Sequence, residues 1–129
     1  MIIKIAELQG AALDWAVAYA RTMAATDGRV ILVGDLLKTA MKNGLASPST
    51  DWAQGGPIIE RENISITRNW LSGEEGHQWT ALCSGLNYWQ DIKAYGSTPL
   101  IAAMRCYVAS KNNRLGNDID VPDELVNPT

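Results

Sequence analysis

Phenylalanine is missing from this chain altogether, cysteine occurs twice and histidine once. Two cysteines are too few for a disulfide framework, so free thiols in a reducing compartment are the expectation. With one histidine, a zinc site would have to draw on cysteines or carboxylates, and no CxxC or HxxxH spacing is present. GxSxG, Walker A and GxGxxG strings are also absent, which removes the usual nucleophile and phosphate-cradle signatures. No uncharged apolar run approaches the roughly 18 residues of a membrane span. Lys4 and Glu7 fall where a signal peptide would be apolar, so no membrane contact is expected. The basic residues are scattered and form no stripe. DNA or RNA binding, which needs clustered cations to displace phosphate counterions, is therefore not expected.

What the chain does hold is apolar and aromatic bulk. Its 129 residues are 47% apolar, which excludes a disordered chain. The length suits a single domain, residues 1–129, able to bury about two-thirds of the unfolded surface. Acids outnumber bases 14 to 11, yet Asp118, Asp120, Asp123 and Glu124 all follow the last base, Arg114. The body is thus nearly neutral, and an acidic C-terminal tail over about residues 115–129 carries the charge.

Local patterns predict the elements. Ile2 to Ile5 suit a short strand or an extended lead-in. Gly10 to Ala24 is alanine-rich, free of proline and apolar over most of a helical circumference, with Asp14 and Arg21 marking a narrow wet edge. Arg29 to Val33 reads as a strand, and Asp35 suits the cap of a short helix ended by Asn43-Gly44. The Ser, Pro and Gly content from Ala46 to Gly56 predicts a loop, with Pro57 opening a single helical turn. Ile64 and Ile66 alternate with Ser65 and Thr67 as a half-buried strand. Ser72 to Gly76 closes a hairpin, and its return, His77 to Ser84, sets Trp79, Ala81 and Cys83 on one face. Gly85 to Gly96 reads as a polar-aromatic connection. Thr98 as cap and Pro99 at the first helical position open a second helix, whose only charge before Lys111 is Arg105. The expected fold class is α+β, a small antiparallel sheet packed against two long apolar helices.

Two strings carry a resemblance: SPSTDWAQGGPIIERENISI (Ser47 to Ile66) and STPLIAAMRCYVASK (Ser97 to Lys111), with LQGAALDWAVAYA (Leu8 to Ala20) as a weaker third. Together they resemble the NinX family of lambdoid-phage proteins, encoded in the nin region and of unknown function. The acidic VPDEL ending (Val121 to Leu125) also looks like that family's tail, whereas Gly28 to Leu45 has no counterpart in the likeness. The resemblance implies a phage or prophage origin and expression in the cytoplasm of a bacterial host. It supplies no catalytic residues.

The most site-like segment is Asp51-Trp52-Ala53-Gln54-Gly55-Gly56-Pro57, where two polar side chains, a flat ring and two glycines adjoin. The same residues also suit a core tryptophan followed by a turn. Arg105 needs a partner, because an unpaired buried charge costs several kcal/mol; Asp51, Glu60 and Glu62 are the expected carboxylates. Glu60-Arg61-Glu62 otherwise reads as a solvated charge cluster. Asp118, Asp120 and Asp123 lack the glycine and terminal glutamate of a calcium loop and read as a fraying tail. Cys83 and Cys106 occupy apolar periodic positions and read as small core residues. A Cys–His nucleophile pair would need the fold to bring His77 to one of them. Trp70, Trp79, Tyr88, Trp89 and Tyr95 make the middle of the chain aromatic. Tyr88 and Trp89 stand between two readings, a partner surface and simple packing.

The function expected is that of a non-enzymatic phage accessory protein that binds a host or phage protein, with a homodimer as one form of contact and no cofactor or metal. The alternative is a small-ligand or hydrolytic site built from Asp51, Trp52, Gln54, Glu60 and Arg105, which requires those groups to converge in a pocket.

Overall fold

The computed structural model describes residues 2–26, 47–70, 77–84, 91–111, 118–121 and 123–126. The strand and helix expected between Arg29 and Asn43, the turn at Ser72 to Gly76, and Tyr88 and Trp89 lie outside them.

Alternation of apolar and polar residues builds the main sheet. Strands β2 (Ser65–Arg68) and β3 (Trp79–Ser84) pair antiparallel, with Ile66 opposite Ala81 and Arg68 opposite Trp79. Strand β4 (Asp91–Gly96) pairs with the other side of β3, so the order is β2-β3-β4 with β3 central. This corrects the expected connection over Gly85 to Gly96. Ile92, Ala94 and Gly96 turn inward at period two while Asp91, Lys93 and Tyr95 are exposed, the alternation of a half-buried strand. A second antiparallel pair joins β1 (Ile2–Lys4) to β5 (Asp118–Asp120).

Helix α3 (Pro99–Lys111) is the centre of the packing, lying on β4, β3 and β2 and touching α1 (Gly10–Thr26) and α2 (Trp52–Arg61). It buries residues all round its circumference, among them Leu100, Met104, Tyr107 and Val108. Its start is as the residues predict: Thr98 Oγ1 accepts from the Ile101 amide at 3.1 Å, and Pro99 occupies the first turn. In α1, Leu13, Ala16 and Val17 are fully buried, and the small alanines let α3 approach. Asp14, expected at a wet edge, is only 6% exposed.

The expectation of two helices omits α2, which starts at Trp52 rather than Pro57 and runs through the Gly-Gly-Pro sequence. Asp51 caps it, accepting from the Ala53 amide at 2.9 Å. A proline ring disfavours helical backbone in the residue before it by pressing on that residue's Cβ, and Gly56 has none. A Cβ on Gly55 would sit 2.5 Å from the Pro48 carbonyl oxygen and 2.6 Å from Leu100 Cδ2, so glycine lets α2 seat against both. The helix ends in a Schellman motif: Asn63 takes a left-handed φ of 54°, its amide reaches the Glu60 carbonyl, and the Ile64 amide reaches that of Ile59.

The acidic C-terminal segment is not a fraying tail. Ile119 faces Ile3 across β1 and β5, and Ile119, Val121 and Leu125 are buried. A short helix, α4 (Asp123–Val126), follows and rests against α1.

Candidate functional site

The polar residues before and within α2 bond to one another. Gln54 Oε1 accepts from the Ser47 amide at 2.8 Å, while its Nε2 donates to Asp51 Oδ2 at 3.1 Å and to Ser47 Oγ at 3.3 Å. Asp51 therefore caps the helix, satisfying an amide that an α-helix start leaves free, while Gln54 ties the cap to the preceding turn at Ser47. Trp52, beside them, is 55% exposed and does not plug the core. Glu60 is exposed nine residues along α2, about 13 Å away at 1.5 Å per residue.

Arg105 points elsewhere. Its Nε donates to the Leu8 carbonyl at 2.7 Å and its Nη1 to the Tyr95 carbonyl at 2.8 Å. The expected carboxylate partner from Asp51, Glu60 or Glu62 is replaced by two main-chain oxygens, and burial pulls the guanidinium pKa down. The Leu8 and Tyr95 carbonyls satisfy two donors of the planar fork without a second charge to desolvate, while leaving the guanidinium charge uncompensated among the described residues. Glu62 instead bridges to Lys111 at 3.3 Å and Arg61 at 3.4 Å. The structure thus joins Asp51 to Gln54 but does not bring Arg105 to them.

Asp14 accepts from the Ser49 amide at 2.9 Å and so ties α1 to the turn before α2. Desolvation raises its carboxyl pKa, and the Ser49 contact offsets part of that.

Cys83 and Cys106, both buried free thiols, lie with their Sγ atoms 3.1 Å apart. Hydrogen bonding to Cys106 lowers the Cys83 pKa to about 7 against the cost of burial, and the same contact together with desolvation raises that of Cys106. Cys106 Sγ also lies 3.4 Å from the Ile92 carbonyl. His77 stacks on Tyr95, which pairs with Thr80, whereas Cys83 lies three residues further along β3 opposite Ile92.

Among the described residues, three aromatic side chains lie at one end of the main sheet: half-buried Trp79 in the row Arg68–Trp79–Gly96 on the helix-covered face, exposed Trp70 just beyond β2, and exposed Tyr95 in the row Thr67–Thr80–Tyr95 on the opposite face. The Arg68 guanidinium lies over Trp70 at 5.3 Å and over Trp79 at 5.4 Å. His77 stacks on Tyr95 with centroids 4.6 Å apart and planes 5° from parallel. Trp70 is 82% exposed. Asn69 fixes the corner: its amide and Nδ2 donate to the Gln78 and His77 carbonyls, each at 2.8 Å, and its Oδ1 accepts from Thr80 at 2.8 Å. Sequence reasoning counted Trp70, Trp79 and Tyr95 as aromatic bulk but chose Tyr88 and Trp89, which lie outside the described residues. A usable signal was there: Arg68-Asn69-Trp70 on one strand end and His77-Gln78-Trp79 on the next combine rings, a cation and turn-forming polar groups.

Fold and surface define a small α+β protein with antiparallel sheets and an aromatic, arginine-bearing corner. It belongs to the NinX family: the family model described as Bacteriophage P22, NinX, matches residues 4–111, which makes it a phage accessory protein by family. The matched range includes residues 28–45, which the quoted strings left out, and stops before the acidic C-terminal segment. No curated protein matches the chain. Among the described residues no helix is long and apolar enough to cross a membrane.

Proposed function

We propose that this protein works by binding another protein, of phage or host origin, in the cytoplasm of a bacterial host and without catalysis, and that the corner formed by Arg68, Trp70, Trp79, His77 and Tyr95 is its contact surface. The observation that carries this reading is Trp70, a large ring 82% exposed on a backbone pinned by Asn69. An exposed Trp with an Arg stacked on it, and an exposed Tyr at the same sheet end, are the residue types that dominate binding energy at protein interfaces, and a rigid presentation lowers the entropy lost on association. The near-neutral body favours a protein partner over a polyanion, although rings also stack on bases.

The test compares tagged wild type with Trp70→Ala and Tyr95→Ala in pull-downs from phage-infected cells, with light scattering for self-association. Loss of the same bound species from both variants, at unchanged melting temperature, is the expected result. Equal recovery by the wild type and both variants overturns the surface assignment. A low-salt gel shift by the wild type that Trp70→Ala abolishes would transfer the corner to nucleic acid. A second copy of the chain is the simplest partner, and a strict monomer at micromolar concentration removes it.

A further inference from the structure

We propose that Cys83 and Cys106 are a redox-active dithiol that closes to an intramolecular disulfide on reaction with a low-molecular-weight disulfide of the glutathione type. They are the only cysteines in the chain, yet residues 23 apart in sequence, on β3 and α3, bring their sulfurs to 3.1 Å. A disulfide is specific about the placement of both backbones, and two elements that already press their thiols together need little rearrangement to meet that demand. The roles are unequal. Cys83 is 6% exposed and Cys106 is fully buried, so an incoming reagent meets Cys83 first. The hydrogen bond from Cys106 also favours the Cys83 thiolate, the form that attacks.

The chemistry balances in two exchanges. The Cys83 thiolate attacks one sulfur of the reagent, whose S–S bond breaks, and the departing thiolate takes up the proton Cys83 released. Cys106 Sγ then gives up its proton and attacks Cys83 Sγ, forming the protein disulfide and expelling the second reagent thiolate, which is protonated in turn. The two protein thiols are oxidised by two electrons, and one small disulfide is reduced to two thiols.

This inference stands apart from the binding surface. It is tested on the full chain equilibrated in graded mixtures of reduced and oxidised glutathione, approached both from reduced protein and from protein oxidised while unfolded. Samples are acid-quenched, unfolded, labelled with a maleimide and weighed intact. The expected wild type passes in one step from two labelled thiols to none, two hydrogens lighter and free of glutathione, while Cys106→Ser stops at a single glutathione adduct on Cys83 and Cys83→Ser, left with a fully buried thiol, stays labelled. The oxidised wild type also melts above the reduced form. The proposal is overturned if both thiols stay labelled from either direction, if wild type carries adducts as readily as Cys106→Ser, or if oxidation lowers the melting temperature.

Discussion

Asp14 and Arg105 are charges that the fold has taken out of water, and each is held by main-chain groups. For Asp14 the folded-state pKa is raised by desolvation, so the native state binds a proton more readily than the unfolded chain. Between the unfolded value and the raised one, stability therefore falls as pH rises, and the carboxylate is a net cost at neutral pH. Asp14→Asn keeps an oxygen for the Ser49 amide and removes the charge. It should melt at or above wild type at pH 7, with the gap closing as pH is lowered towards the ordinary carboxylate range; a gap independent of pH would contradict the assignment. Arg105→Met should lose about 1–3 kcal/mol in urea unfolding, because the Leu8 and Tyr95 carbonyls are left without their donor. The sequence showed that Arg105 required a partner. It did not show which, since every residue carries a carbonyl and only the fold selects two of them.

At the scale of elements, α2 is where local signals conflict. Asp51 followed by Gln54 is a capping pattern, and Ser-Pro-Ser-Thr with Gly-Gly-Pro is a breaker pattern, so a reading by composition favours a loop. The cap and the seat against Pro48 and Leu100 prevail. Gly55→Ala should cost about 1–3 kcal/mol, because the new methyl meets the Pro48 main chain, which cannot yield as the Leu100 side chain beside it can. Pro57→Ala two positions on should have the opposite sign, stabilising by roughly 1–2 kcal/mol, since an exposed ring is replaced by an amide able to reach the Ala53 carbonyl. Urea midpoints of the two variants against wild type check both signs. The overlooked β4 is the milder case: its alternation was present, but Asp and Lys on the outer face disguised it as a connection.

Across the whole molecule, the chain ends hold each other. Ile119, Val121 and Leu125 are buried, and β5 supplies the only described partner strand for β1. Ending the chain at residue 117 removes three buried side chains worth on the order of 5 kcal/mol together, comparable with the whole stability of many small domains. Such a truncation should lose its cooperative circular-dichroism melt near ambient temperature; an unchanged melt would show that the acidic segment contributes nothing. The same scale decides the contact surface, because Trp70 and Tyr95 lie 25 residues apart in sequence and reach the same end of the sheet only through the pairing of β2 and β4 with β3.

Residue order alone was enough for what depends on near neighbours: the helix from Gly10, the Thr98-Pro99 start of α3, the strands around Ile66 and Ala81, and the family likeness in the Asp51 to Ile66 and Ser97 to Lys111 strings. These rest on periodicity, capping and identity over a few residues, all of them local quantities. Tertiary structure decided the rest: that Arg105 binds carbonyls, that Cys83 meets Cys106, that Asp14 is buried, that the acidic end is a strand. Each of these is settled by which distant backbone comes within about 3 Å, and hydrogen bonding and desolvation change steeply over that distance.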